Sequence, residues 1–139
     1  MFKRRKMQLN QTTDYAVRIL VFLSRKNDFV SSHEISKETK VTRNYTRKIL
    51  RTLTSRNLIK IKRGVNGGYK LNKPAGQITL FEIFTAMEKS ININPCLDND
   101  ADCTLYGNEG CHVKRYYTVL QQEFEEKIKD MTIEKLETF

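Results

Sequence analysis

The 139-residue chain predicts a mainly helical fold with one small β-hairpin: a winged helix–turn–helix followed by a long C-terminal helix. Three observations predict it. Two short amphipathic stretches flank a tight turn at Lys40-Val41, and an Asn66-Gly67-Gly68 group separates two short strands directly behind them. The third is the distribution of charge. Residues 1–73 carry 19 Lys and Arg against 4 Asp and Glu (+15), residues 74–139 carry 6 against 12 (−6), and the chain totals +9. Such asymmetry predicts that one half faces a polyanion and the other does not.

The first helix is expected over residues 12–26, where Tyr15, Ala16, Ile19, Leu20 and Leu23 recur at helical spacing. Thr12 or Thr13 is its expected cap, and Asp14 in the first turn complements the helix dipole. SHEISKET (32–39) is a short second helix, capped by Ser31 or Ser32 and anchored by Ile35. After Lys40-Val41, Thr42 opens a third helix over RNYTRKILRTLTSRN. It has Tyr45, Ile49, Leu50 and Leu53 on one side and Arg43, Asn44, Arg47, Lys48 and Arg51 on the other. Ile59 and Ile61 then alternate with Lys60 and Lys62, as a half-exposed strand requires. Asn66-Gly67-Gly68 supplies a turn with positive φ, and Tyr69-Lys70-Leu71 returns to complete the wing. Pro74 marks a linker, and residues 79–88 read as a fourth helix. A polar loop holds all three cysteines, Cys96, Cys103 and Cys111. From His112 onward, Val113, Tyr116, Leu120, Phe124, Ile128 and Met131 form one apolar stripe over about five helical turns. So small a domain leaves that stripe little core to cover, which predicts a two-fold homodimer. The division expected is 7–73 for the winged DNA-binding domain and 74–139 for the linker helix, cysteine loop and dimerisation helix.

A recognition helix in the major groove of double-stranded DNA needs side chains that reach phosphates and base edges. Arg43, Asn44, Tyr45, Arg47 and Lys48 occupy its first turns. Asn44 can pair with adenine, while Tyr45 suits either the core or a phosphate contact. Arg51 and Arg56 lie further along and read as backbone contacts or solvated charges. At the wing tip Arg63 suits a narrow A·T-rich minor groove, where the potential is most negative. Enzyme chemistry is not expected: there are two histidines, His33 and His112, and no phosphate loop or nucleophile–base motif. His33 reads as a surface or phosphate-near residue. No apolar run approaches the roughly 18 residues that span a bilayer. The basic start Met1–Lys6 is not followed by a signal-peptide pattern. The expected location is the cytoplasm, where thiols stay reduced.

Three clustered thiols suit a soft metal centre and need a fourth ligand to complete a shell. Zinc is disfavoured because the short Cys-x-x-Cys knuckles of structural sites are absent. A free-thiol switch is disfavoured by the surrounding Asp98, Asp100, Asp102 and Glu109. A cluster-free winged-helix regulator, controlled by a protein partner or by thiol chemistry, is the alternative.

TTDYAVRIL, the helix–turn–helix, RGVNGGYKL, PAGQITLFEIFTAME and the three-cysteine loop together resemble the IscR/NsrR-type regulators (the Rrf/BadM family). The resemblance runs from about Met7 to the end of the C-terminal helix, nearly the whole chain, and leaves out residues 1–6. It implies a dimeric winged-helix transcription factor, most simply a repressor. It also implies an iron–sulfur cluster, 4Fe–4S with 2Fe–2S as the alternative, that senses nitric oxide, redox state or cluster supply. The cysteines would be its thiol ligands. In the nitric-oxide-sensing branch an N-terminal-helix carboxylate of the partner subunit completes the shell, and Asp14 lies at the matching position. In the cluster-biogenesis branch a histidine after the third cysteine does so. His112 follows Cys111 directly, closer than that branch's spacing.

Overall fold

A computed structural model describes residues 7–98 and 110–139. The first helix, α1 (Gln11–Ser24), begins one residue earlier than its periodicity suggests. Its cap is Asn10, whose side-chain oxygen accepts from the Thr12 N–H at 3.2 Å. Neither threonine caps it, because Thr13 already lies inside the first turn, fully buried, with its hydroxyl donating to Glu88 at 2.7 Å. Helix α2 (Ser32–Thr39) opens on Ser31, whose hydroxyl accepts from the Glu34 N–H. It ends at Lys40 in the left-handed region, φ 57°, which turns the chain into α3 (Arg43–Ser55).

Strands β1 (Ile59–Lys62) and β2 (Gly68–Leu71) pair antiparallel, from Ile59 opposite Leu71 to Lys62 opposite Gly68. A 3₁₀ turn, Ala75–Gln77, leads to α4 (Leu80–Met87). Thr79 and Glu82 close a capping box there, so two otherwise orphaned backbone donors are satisfied reciprocally. A second 3₁₀ turn, Pro95–Leu97, precedes the long α5 (His112–Asp130). A short α6 (Ile133–Glu137), which the periodicity did not suggest, ends the chain.

One apolar core joins the elements. Ala16, Ile19, Leu20 and Leu23 of α1 meet Ile35, Ile49, Leu50, Leu53, Leu58 and Ile59, and the same cluster takes in Ile78, Ile83 and Ile133. Each such side chain contributes about 1.5–3 kcal/mol on full burial. The helix–turn–helix is thus held from beneath while its outer face stays free. The C-terminal segment reaches this core by backbone pairing: the Leu80 N–H donates to Met131 O and the Ile133 N–H to Ile78 O, both at 2.9 Å. That pairing folds α6 back onto α1.

Three positions differ from the periodic reading. Tyr45 sits on the exposed side of α3, and Thr46 takes the buried place, its hydroxyl donating to Val41 O. Ile61 is exposed because the two-stranded wing rests on the core only at its base. On α5 the stripe is buried only at Ile128; Phe124 stacks on Phe84 of α4, and Val113 and Tyr116 face outward. Among the described residues no helix is long and apolar enough to cross a membrane.

Candidate nucleic-acid interface and thiol loop

The reading face is built by burying one side of α3. With Thr46, Ile49, Leu50 and Leu53 fully buried, Arg43, Asn44, Tyr45, Arg47 and Lys48 are left exposed together. Two hydroxyls fix the turn that sets the angle between α2 and α3: Ser36 and Thr46 both donate to Val41 O, at 2.6 and 3.3 Å. Arg43 Nη2 approaches His33 Nδ1 of α2 at 2.6 Å.

Tyr45 packs edge-on against Tyr15 of α1, with ring centroids 5.8 Å apart. Gln11 Nε2 donates to Tyr15 Oη at 2.6 Å, and the Arg18 guanidinium lies 6.0 Å from the Tyr15 ring centre. Arg18 in turn pairs with Asp14 at 3.0 Å. Asp14 and Tyr45 are therefore joined through two intervening side chains.

The wing carries Arg63 exposed beside Gly64, φ 112°, with Val65 fully exposed at the tip. Its base is tied to the start of α2 by a pair of backbone bonds between Val30 and Tyr69, at 2.9 and 2.8 Å. Gly68 permits this approach: a Cβ there would lie 2.3 Å from Val30 O. Lys62 and Lys70 flank the Phe29 ring at 5.6 and 6.0 Å, adding positive charge along the same edge.

The thiol loop is anchored at both ends. Cys96 sits half-buried in the second 3₁₀ turn, its N–H donating to Asn94 Oδ1 at 3.2 Å. Cys111, also half-buried, is the N-cap of α5, and its sulfur accepts from the Lys114 N–H at 3.4 Å. The cap is thus a thiol, and His112 is an exposed first-turn residue. Cys103 lies outside the described residues. Both described thiols are free, and the macrodipole at Cys111 complements a negatively charged ligand set. Their donor chemistry fits an iron–sulfur group. Asp14, however, is turned to Arg18 in its own chain. Among the described residues no three His, Cys, Asp or Glu side chains converge as a metal site.

Two residues that position this region have no sequence signal. Gln121, buried on α5, accepts from the Ile93 N–H at 2.8 Å and donates to Ile91 O at 3.2 Å, which pins the approach to Cys96. A lone Gln beside an apolar stripe reads as surface. Glu88, just past α4, accepts from the Asn10 N–H and the Thr13 hydroxyl, both at 2.7 Å. It ties the start of the thiol segment to the first turn of α1, across more than 70 residues of sequence.

Comparison with known proteins agrees with this arrangement. The chain is 30% identical over 133 residues to the HTH-type transcriptional regulator NsrR of Oceanobacillus iheyensis, covering 94% of this chain and 89% of that one. It is 32% identical over 132 residues to Protein aau3 of Rhizobium meliloti, covering 94% and 84%. The fold matches CymR (YrzC), described as the global cysteine regulator of B. subtilis, with a TM-score of 0.76 at 20% identity, covering 94% and 96%. It matches T. potens IscR with a TM-score of 0.76 at 18% identity, covering 95% and 87%. Residues 9–138 match the Rrf2 family, and the chain belongs to that family of iron-dependent transcriptional regulators: it is a DNA-binding regulator of transcription and not an enzyme.

Proposed function

We propose that the chain is a homodimeric cytoplasmic repressor whose operator affinity is set by an iron–sulfur cluster. The observation that carries this reading is one chain's pairing of a basic winged helix–turn–helix with a loop whose two described ends both present half-buried thiols. Residues 7–73 read the operator: Arg43, Asn44, Tyr45, Arg47 and Lys48 in the major groove, Arg63 in a minor groove. Residues 74–139 sense and dimerise, although both parts share one core.

The second copy packs on α5. Val113, Tyr116 and Val119 leave 57%, 62% and 47% of their surface exposed along one side of this long helix. A contiguous apolar face of this kind is costly to leave in water. A two-fold axis covers it with the same face of another chain.

Cys96, Cys103 and Cys111 are the thiol ligands of a 4Fe–4S cluster, with 2Fe–2S the alternative. Asp14 of the partner subunit supplies the fourth, oxygen, ligand, in preference to His112. When bound, such a cluster offers an oxygen-ligated iron open to attack by nitric oxide or oxidants. On release, Asp14 can take the Arg18 pairing described above, on the helix whose Tyr15 touches Tyr45. The angle or spacing of the two recognition helices then changes and half-site fit with it.

Anaerobic purification with visible spectroscopy and iron and sulfide assays tests the sensor. A brown protein is expected, and a colourless, iron-free protein under those conditions overturns the reading in favour of cluster-free control. A Cys103→Ala protein that still assembles a stable cluster overturns the ligand assignment.

A further inference from the structure

His33 stands in the first turn of α2, and Arg43 opens α3. A guanidinium carries donors only, so at the 2.6 Å contact Arg43 Nη2 donates and His33 Nδ1 accepts. With Ser32 and Arg47 these two residues line a depression of 280 Å³ on the side of the molecule that carries the exposed face of α3. Its described lining is two guanidinium groups, an imidazole and a hydroxyl, with no carboxylate. Of the charged groups around His33, Arg43 and Arg47 face it from α3. On α2 itself Glu34 is engaged by Lys26, which follows α1, at 3.4 Å, and Lys37 lies one turn on.

We propose that this depression seats one backbone phosphodiester of the bound duplex. The inference rests on the DNA-binding reading above and adds to it a role for His33 and Ser32 and a specific role for Arg43. In that seat Arg43 and Arg47 turn donors to the phosphate oxygens and the Ser32 hydroxyl donates beside them. The His33 ring, released from Arg43, turns its N–H donor to the same oxygens. Within the set that enters the major groove, Arg43 and Arg47 are then register-setting backbone contacts, insensitive to sequence, and base reading is left to residues such as Asn44 and Lys48.

The test uses the full chain and two labelled duplexes, one recovered by selection from a randomised library and one unrelated, titrated against salt. In the wild type, affinity for both should fall steeply as salt rises. His33→Ala, which removes the ring donor, should weaken binding about fivefold on both duplexes alike without altering the circular dichroism spectrum. Arg43→Ala should lose about tenfold on both duplexes alike, as expected for one charge-assisted hydrogen bond to phosphate. Wild-type affinity in both variants overturns the seat, as does a loss confined to the selected duplex. Lys48→Ala serves as the separate control. If it weakens binding while His33→Ala and Arg43→Ala behave as wild type, only the seat falls. If the wild type binds neither duplex, the DNA reading falls with it.

Discussion

Replacing Gly68 by alanine isolates the joint between the wing and the helix–turn–helix. Gly68 has φ 152°, and an added Cβ would lie 2.3 Å from Val30 O and 2.9 Å from Ser31 N, both backbone atoms that no side-chain rotation can move aside. The backbone must shift, and the nearest interactions to give way are the two Val30–Tyr69 hydrogen bonds. Each such bond contributes about 1 kcal/mol net, and placing a non-glycine residue in this region costs about 1–3 kcal/mol. The expected loss is therefore about 3–5 kcal/mol. Gly64 provides the control: its φ is 112°, but a Cβ there meets nothing within 4 Å. Gly64→Ala should cost only the conformational part, about 1–2 kcal/mol. For a chain of this length each kcal/mol lowers the melting temperature by about 3 °C. Gly68→Ala should thus melt about 10–15 °C below wild type and Gly64→Ala about 3–6 °C below, compared at one protein concentration because dimerisation enters the midpoint. The same Gly68→Ala protein, kept below its midpoint, should bind DNA more weakly because Arg63 is no longer held at its angle. Equal melting temperatures for the two variants would refute the close-approach argument.

Three further substitutions test other parts of the structure. Gln121→Leu keeps the volume but leaves the Ile93 N–H and Ile91 C=O without their partner, and should lower stability by about 1–3 kcal/mol; an unchanged melting curve would show that the Gln121 bonds contribute nothing. Val119→Glu places a charge on the exposed apolar side of α5 and should yield monomers in sedimentation equilibrium. A persistent dimer would move the interface elsewhere. Arg63→Ala should weaken binding most at operators with A·T-rich flanks, and an equal loss on every sequence would demote Arg63 to a phosphate contact.

The helix–turn–helix was legible because its signals are local. Ile35, Ile49, Leu50 and Leu53 recur at helical spacing, and all four are fully buried. The wing was legible from its glycines, although positive φ falls at Gly64 and at Gly68, which opens β2, and not at Asn66 or Gly67. Legibility failed where a long-range partner decides. Thr13 looks as good a cap as Asn10, and only Glu88, 75 residues away, draws its hydroxyl inward. Thr46 is polar yet fully buried because the Val41 carbonyl accepts from it, and that displaced Tyr45 to the surface. Helix α6 escaped notice because five residues give too little periodicity, and its place is set by pairing with the segment before α4. The thiol cluster was visible as composition. The contacts that hold its ends, through Gln121 and Glu88, were not.

Those two residues bear on how the thiol segment communicates with the reading helix. Glu88 fastens the beginning of that segment to Asn10 and Thr13, one residue from Asp14. Beyond Asp14, α1 is not free to bend: Ala16, Ile19 and Leu20 are wholly buried in the shared core, and a close-packed core resists local distortion. A displacement at the first turn of α1 must therefore move the helix bodily or be absorbed at its exposed flank. On that flank lies Arg18, beside Tyr15, a half-buried ring that packs against the core and rests on Tyr45. Tyr45 sits between Asn44 and the buried Thr46, so a change in the Tyr15 contact acts on the exposed start of α3 while its buried side stays fixed. On the proposed reading, the Asp14 carboxylate, free or held by the partner's cluster, thus lies two side chains from the residues that meet DNA.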